Sequence, residues 1–339
     1  MRRVLAVRQD NNGDVTLIGP ALRALARAAR VTLLCGPGGF GAAQLLPGVD
    51  ETLVARAEWI EGRPQPLDPG ATMDVVRRIA ARAYDEAVIF TSFHQSPLPA
   101  ALLLRLAGVP RIGAISVDYP GSLLDVRVSV DDDIHEVQRA LHLARACGYD
   151  LAPGDDDRLR YVPLPPPAFA LPARFVAIQP GASVGARAWA PERHRDLVAA
   201  LAARGYRVVV TGSDAERALT AYVAGDTSAL DLGGKTTFAE FAAIVARADA
   251  IVVGNSSGIH AGAAVGTPVV SIFPPTIPPV RFAPWRVPHV LLGDHAIACA
   301  GCRARTCPVP GQPCTGGVSA SDVLDALEAL GVRPTAVPA

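Results

Sequence analysis

Two doubly wound α/β domains facing across a cleft are the fold class this sequence predicts, and three observations predict it. The chain is 339 residues long, against roughly 150 for a typical domain. Short β-branched runs alternate with longer Ala/Leu/Arg segments of helical period, the pattern of parallel strands joined by crossover helices. That alternation breaks once, near the middle, and then restarts.

The first half places strands at residues 4–7, 31–34 and 87–90, with a helix over 15–29 between the first two. Residues 150–172 interrupt the pattern. Pro153-Gly154-Asp155-Asp156-Asp157 reads as a polar turn and Pro163-Leu164-Pro165-Pro166-Pro167 as a stiff extended stretch. The second half sets strands at 175–178, 207–210, 251–253 and 269–272. Its helices are well punctuated: Pro191 and Glu192 open one that stops at Gly205, and Thr237-x-x-Glu240 forms a capping box for another. The expected division is 1–165, 172–320, and a C-terminal helix and tail over 321–339.

Half the residues are hydrophobic and 19% are charged, which suits a large buried core. Lys+Arg 32 against Asp+Glu 32 gives no net charge, so a general electrostatic grip on nucleic acid or an acidic membrane is not expected. Lys235 is the only lysine, and the arginine excess reads as GC-rich coding. The opening apolar run of four residues, closed by Arg8, is too short for a signal peptide. The uncharged stretch 256–280 holds Pro268, Pro274, Pro275, Pro278 and Pro279 and makes no continuous helix. A cytoplasmic protein with at most peripheral membrane association is the expectation.

In open parallel sheets, ligands bind beyond the carboxyl ends of the strands. In the second half those loops include Gln179-Pro180-Gly181-Ala182-Ser183, Thr211-Gly212-Ser213-Asp214-Ala215-Glu216 and Gly254-Asn255-Ser256-Ser257-Gly258. Any one of them is explained by turn chemistry, since Gly and Ser serve turns and caps. Three in one domain favour a phosphate-bearing ligand, held by backbone amides, hydroxyls and the helix that starts near Gly258. His260 at that helix start either donates to a phosphate or sugar hydroxyl or is structural. Glu216 either accepts the two hydroxyls of a ribose or caps its own helix. Arg187 is placed to clamp a diphosphate.

In the first half, Gln9-Asp10-Asn11-Asn12-Gly13-Asp14 joins strand to helix. Asp14 is either a general base at the cleft mouth or an ordinary helix cap, and residue chemistry alone leaves both open. Gly36-x-Gly38-x-x-Gly41 matches the dinucleotide fingerprint literally. It follows the second strand, however, and lacks a well-placed acid about 20 residues on, so it reads as a turn. Cys299-x2-Cys302-x4-Cys307-x6-Cys314 gathers four of the six cysteines in sixteen residues, which suits a structural zinc or an iron–sulfur cluster as well as free thiols or a conditional disulfide. Cys35 and Cys147 read as buried apolar residues.

Taken together these segments resemble glycosyltransferase family 9, the ADP-heptose:lipopolysaccharide heptosyltransferases. The resemblance rests on Gly13-Asp14, on Pro20-Ala21-Leu22-Arg23-Ala24-Leu25, and on Pro180-Gly181-Ala182-Ser183 followed by Arg187, Trp189, Pro191 and Glu192. It extends to Gly234-Lys235-Thr236-Thr237-Phe238-Ala239-Glu240, to Asn255-Ser256-Ser257-Gly258-Ile259-His260, and to Gly266-Thr267-Pro268. It covers nearly the whole chain, the cysteine cluster included. It implies a GT-B fold with an acceptor-binding first domain and a donor-binding second one. It implies inverting transfer of a sugar, heptose by resemblance, from an ADP-sugar to a glycan or metabolite hydroxyl, with Asp14 as base and no cofactor required. Ser183, Arg187, Glu216, Asn255, Ser256, Ser257, Gly258 and His260 would hold the donor. Ser92, His94, Gln95 and Ser96, after the third strand, are the acceptor-side candidates. Two positions depart from the family pattern: Asn255 stands for its Asp and Arg187 for its Lys, which bears on donor sugar identity. A nucleotide-sugar 2-epimerase of similar build, which would not need Asp14 as a base, and a non-catalytic nucleotide-sugar or metal-binding protein are the alternatives.

Overall fold

A computed structural model describes residues 1–62, 64–130 and 133–334. The chain divides into two compact units, Met1–Val162 and a second from Pro163 onward. The first holds six strands: β1 (Arg2–Arg8), β2 (Ala29–Cys35), β3 (Glu51–Val54), β4 (Glu86–Ile89), β5 (Ile112–Ile115) and β6 (Val126–Val128). They pair in the order β3-β2-β1-β4-β5-β6, all parallel. The second unit repeats this plan with β7 (Val176–Gln179), β8 (Val208–Val210), β9 (Leu230–Asp231), β10 (Ala250–Gly254), β11 (Val269–Ile272) and β12 (His289–Leu292). Its order is β12-β11-β10-β7-β8-β9, again all parallel. Both are the doubly wound nucleotide-binding order, so each sheet reverses direction next to its own first strand, between β1 and β4 and between β7 and β10.

The apolar strand interiors follow from burial on both faces. Leu5, Val7, Leu34, Leu53, Ile89 and Ile112 meet Ile79 and Leu104 from the covering helices in one core. In the second unit Val176, Ile178, Val208, Val252 and Val270 meet Leu197 and Leu201. The helix Ala320–Ala329 joins that core through Val323, Leu324 and Leu327. Burial pushes the Cys35 thiol up to about 11 and that of Cys147 to about 12, in keeping with a packing role for both.

Three expectations need correcting. The single helix expected over 15–29 is two, Asn12–Leu17 and Gly19–Ala26, because Pro20 supplies no amide to continue the first and instead opens the second. Its last residue, Ala29, already belongs to β2. Strands β3, β5, β6, β9 and β12 escaped the sequence reading. They are two to four residues long, and β5 carries Gly113 at its centre. That glycine is there for space: an added Cβ would overlap the buried Cys147 sulfur. Among the described residues, no helix is long and apolar enough to cross a membrane.

Candidate active site

In the first unit, the loops that leave β1 and β4 flank the switch point. Arg8, the last residue of β1, is only 2% exposed, and its guanidinium organises both loops. Its Nε lies 2.9 Å from Asp10 Oδ2 and its Nη2 3.0 Å from Asp14 Oδ1, while the same Nη2 donates to Ser92 Oγ at 2.8 Å. Gln95 closes the circuit from the β4 loop, donating through Nε2 to Asp10 Oδ1 at 2.6 Å and accepting from the Ser92 amide at 3.0 Å. A buried arginine needs such partners, because an unpaired charge there would be far more costly than an exposed one. Burial pushes the Asp10 carboxyl up, against the pull of Arg8. Asp14 lies in the first turn of Asn12–Leu17, one oxygen anchored by Arg8 and the side chain still 26% exposed.

Of the four acceptor-side candidates, Ser92 and Gln95 are therefore committed to holding Arg8 and Asp10. Ser96 donates to Asp118 at 3.3 Å, and His94 is exposed with its ring edge-on to Phe93, centroids 5.1 Å apart. Arg8 and Asp10 were missed by the sequence reading. The available signal was an arginine ending an apolar strand, with an acid two residues on.

In the second unit, the same geometry recurs between β7 and β10. Gln179, which ends β7, accepts from Ser256 Oγ at 3.1 Å, tying the two loops. Its side chain lies across Gly258, where an added Cβ would overlap Gln179 Oε1. The helix Ser257–Val265 starts at this point, so its free amides and positive dipole end face the loops. Asn255 is 7% exposed, and its Nδ2 has no hydrogen-bond partner among the described residues. A buried amide donor left open at a switch point is suited to a ligand oxygen. His260 is buried in the same helix, against Phe282. Ser183 is exposed, and Arg187 is half-buried in the short 3-10 turn that follows. Gly254 lets this turn pass close: an added Cβ would lie 3.0 Å from the Arg187 carbonyl oxygen.

Glu216 is rooted by a capping box. Its Oε2 accepts from the Ser213 amide at 2.7 Å and hydroxyl at 2.8 Å. Its other oxygen lies against Gly181, where an added Cβ would overlap it. The cap thus holds the carboxylate at the junction of the β7 and β8 loops, and the two readings of Glu216 are compatible. Lys235 is exposed and donates to the Asp231 carbonyl at 2.7 Å.

The cysteine segment braces these loops. The Gly301 and Arg303 amides donate to Pro275 and Thr276, after β11, and the Ala186 amide donates to Arg305 in the segment. Gln312 Nε2 donates to the Ala186 and Ala188 carbonyls at 3.0 and 3.2 Å. Cys299 and Cys302 are exposed, Cys307 is half-buried and Cys314 is buried. Burial, with Cys307 and Cys299 near by, pushes the Cys314 thiol up. Among the described residues, no group of three or more His, Cys, Asp or Glu side chains is placed as around a metal ion.

Two parallel sheets of nucleotide-binding order, each with polar loops at its switch point, define the GT-B class of fold. The family model for glycosyltransferase family 9 (heptosyltransferase) matches residues 73–312, and the chain belongs to that family. A 116-residue stretch is 32% identical to Lipopolysaccharide heptosyltransferase 3 of Escherichia coli. That match takes in 33% of this chain and about a third (34%) of the relative's own length. Among solved structures, the glycosyl transferase family 9 from Veillonella parvula superposes with a TM-score of 0.76 at 17% identity, over 97% of both chains. The E. coli ADP-heptose lps heptosyltransferase II gives 0.73 at 19% identity, over 97% of this chain and 98% of that one.

Proposed function

We propose that the protein is an inverting glycosyltransferase that moves a sugar, heptose by family, from an ADP-sugar to an acceptor hydroxyl. One observation carries this reading: one switch point presents a half-open carboxylate on a rigid arginine anchor, and the other presents donors suited to a nucleotide diphosphate. In the reaction, the acceptor oxygen attacks the anomeric carbon and Asp14 takes its proton. The bond from that carbon to the diphosphate breaks, its electron pair stays on the leaving oxygen, and ADP departs. Arg8 acts on Asp14 by orienting it, with Asp10, Ser92 and Gln95 fixing Arg8 in turn.

On the donor side, Arg187 and the amides opening the helix Ser257–Val265 offset the charge that grows on the diphosphate. Glu216, with Ser183 beside it, faces the ribose, and Asn255, Ser256 and His260 face the sugar and phosphate oxygens. These charges and dipoles come from the chain itself, which supports transfer without a divalent ion. Asn255 in place of the family's acid offers the sugar a neutral amide, which hydrogen-bonds a hydroxyl without adding charge. The role of the cysteine segment is to hold the β7 and β11 loops in place.

The test is a thermal-shift panel of ADP-, UDP-, GDP- and dTDP-sugars, followed by ADP release from ADP-heptose across a panel of hydroxylated acceptors, with and without EDTA. ADP-heptose should stabilise the native protein, and Asp14→Asn should bind it unchanged while transfer falls about a thousandfold. Transfer at the native rate by Asp14→Asn would remove Asp14 as the base. Stabilisation by another nucleotide sugar alone would replace the donor.

A further inference from the structure

Beside the β1 loop, the first unit contains two adjoining chambers whose linings include neither Asp14 nor the donor-side residues. The larger in apolar character, about 270 Å³, lies between the helices Pro69–Ala80 and Leu98–Leu106 and the ends of β1, β2 and β3. Val7, Leu34, Val75, Ile79 and Leu104 form its wall, and half-buried Trp59 lies along it. The second, about 340 Å³, is polar and lies against Asp10, Asn11 and the Gly36–Gly38 turn. Gln9 and Arg56 line both, so the two spaces meet beside β1. Asp10, on the polar side, shares Arg8 with Asp14.

The size and lining select a ligand class. A cavity of about 150 Å³ walled by aliphatic side chains accommodates a benzene ring, so the apolar chamber takes a substituted ring or a short alkyl chain. The two together fall within the usual range of small-molecule sites. Recognition of a polyanion is not what the lining offers. Arg56 and Arg78 stand among Glu58, Asp68 and Asp74, and both guanidiniums are engaged, Arg56 with Glu61 at 3.3 Å and Arg78 with the Val54 carbonyl at 3.2 Å.

We propose that the acceptor is a hydroxylated molecule bearing an aryl or short alkyl group, its apolar end in the chamber along Trp59 and its hydroxylated end against Asp10 and Asn11. The assignment of this end of the molecule to an acceptor rests on the transferase reading above. Gln9, whose Nε2 is held by the Ala55 carbonyl at 3.1 Å, separates the two ends and sets where the apolar group stops.

The experiment compares phenyl β-D-glucopyranoside with methyl β-D-glucopyranoside by calorimetry and saturation-transfer NMR, on native protein and on Trp59→Ala and Thr72→Phe. Trp59→Ala removes the aromatic wall, and Thr72→Phe fills the chamber from a half-buried helix position. The native protein should bind the phenyl glycoside at least about tenfold more tightly than the methyl one, and each variant, folded by circular dichroism, should lose that preference. Equal binding of the two glycosides, or a preference surviving in either folded variant, overturns the proposal. ADP binding by native protein is scored alongside. Its absence counts against the transferase reading, whereas its presence without the phenyl preference counts against the apolar acceptor alone.

Discussion

Replacing Arg8 with methionine would remove the one cation that Asp10 and Asp14 share and leave the Asp10 carboxylate buried beside another acid. Breaking a buried pair from one side costs about 3–5 kcal/mol, and Arg8→Met should lose that order of stability in urea unfolding at pH 7. The sign of the pH dependence follows from Asp10. Burial already raises its folded pKa above the unfolded value, and losing Arg8 raises it further. The folded state then holds the proton more tightly than the unfolded one, so the variant's stability should rise as pH falls from 7 toward the unfolded carboxylate range near 4. A deficit unchanged between pH 7 and 5 would mean that packing, rather than the unpaired carboxylates, sets the cost. Asp14 stood out in the sequence through its Gly-Asp context as either a base or a helix cap, but its anchor did not. The arginine ending an apolar strand is a faint local signal, and that Arg8 turns inward depends on Ser92 and Gln95 arriving from the loop after β4, more than 80 residues away.

At the scale of elements, the glycine turn after β2 shows what a motif match can mean physically. Gly36 has an ordinary negative φ of −77°, so it is not needed for backbone freedom. It is needed for space, because an added Cβ would overlap the Gln9 carbonyl oxygen, whereas at Gly38 the neighbour is the Asn11 side-chain oxygen. Backbone cannot give way and a side chain can. Gly36→Ala should therefore lower the melting temperature by several degrees and disturb the Gln9 to Asp14 loop, while Gly38→Ala shifts it little. Equal losses in calorimetry would show that both neighbours are equally rigid. The sequence reading of this segment as a turn came from its position after the second strand, and the close packing of two loops explains its glycines. The long buried strands and the capping box at Thr237 were readable because burial and local hydrogen bonds leave a mark within one segment. Strand β12 (His289–Leu292) and the two-residue β9 (Leu230–Asp231) were not, since pairing with β11 and β8 is what makes them strands.

For the whole molecule, each unit is held together by apolar packing of its own. Leu5, Val7 and Ile89 stabilise the unit that holds Asp14, and Val176, Ile178 and Val252 stabilise the unit with the nucleotide loops. A ligand stabilises only the cooperative unit that must unfold to release it, by about 2.7 kcal/mol at a hundredfold excess over Kd. Amide hydrogen exchange reads that gain strand by strand. With saturating ADP, the slowest-exchanging amides of β7 and β10 should be protected by about a further hundredfold, while those of β1 and β4 keep their rates. Equal slowing in both sheets would show that the chain opens as one unit, and protection confined to β1 and β4 would place the nucleotide in the first unit. The absence of net charge is consistent with the expected pattern. On the proposed reading, phosphate recognition depends on a few amides, Arg187 and one helix end in the second sheet's loops, so its stabilising effect would belong to that unit.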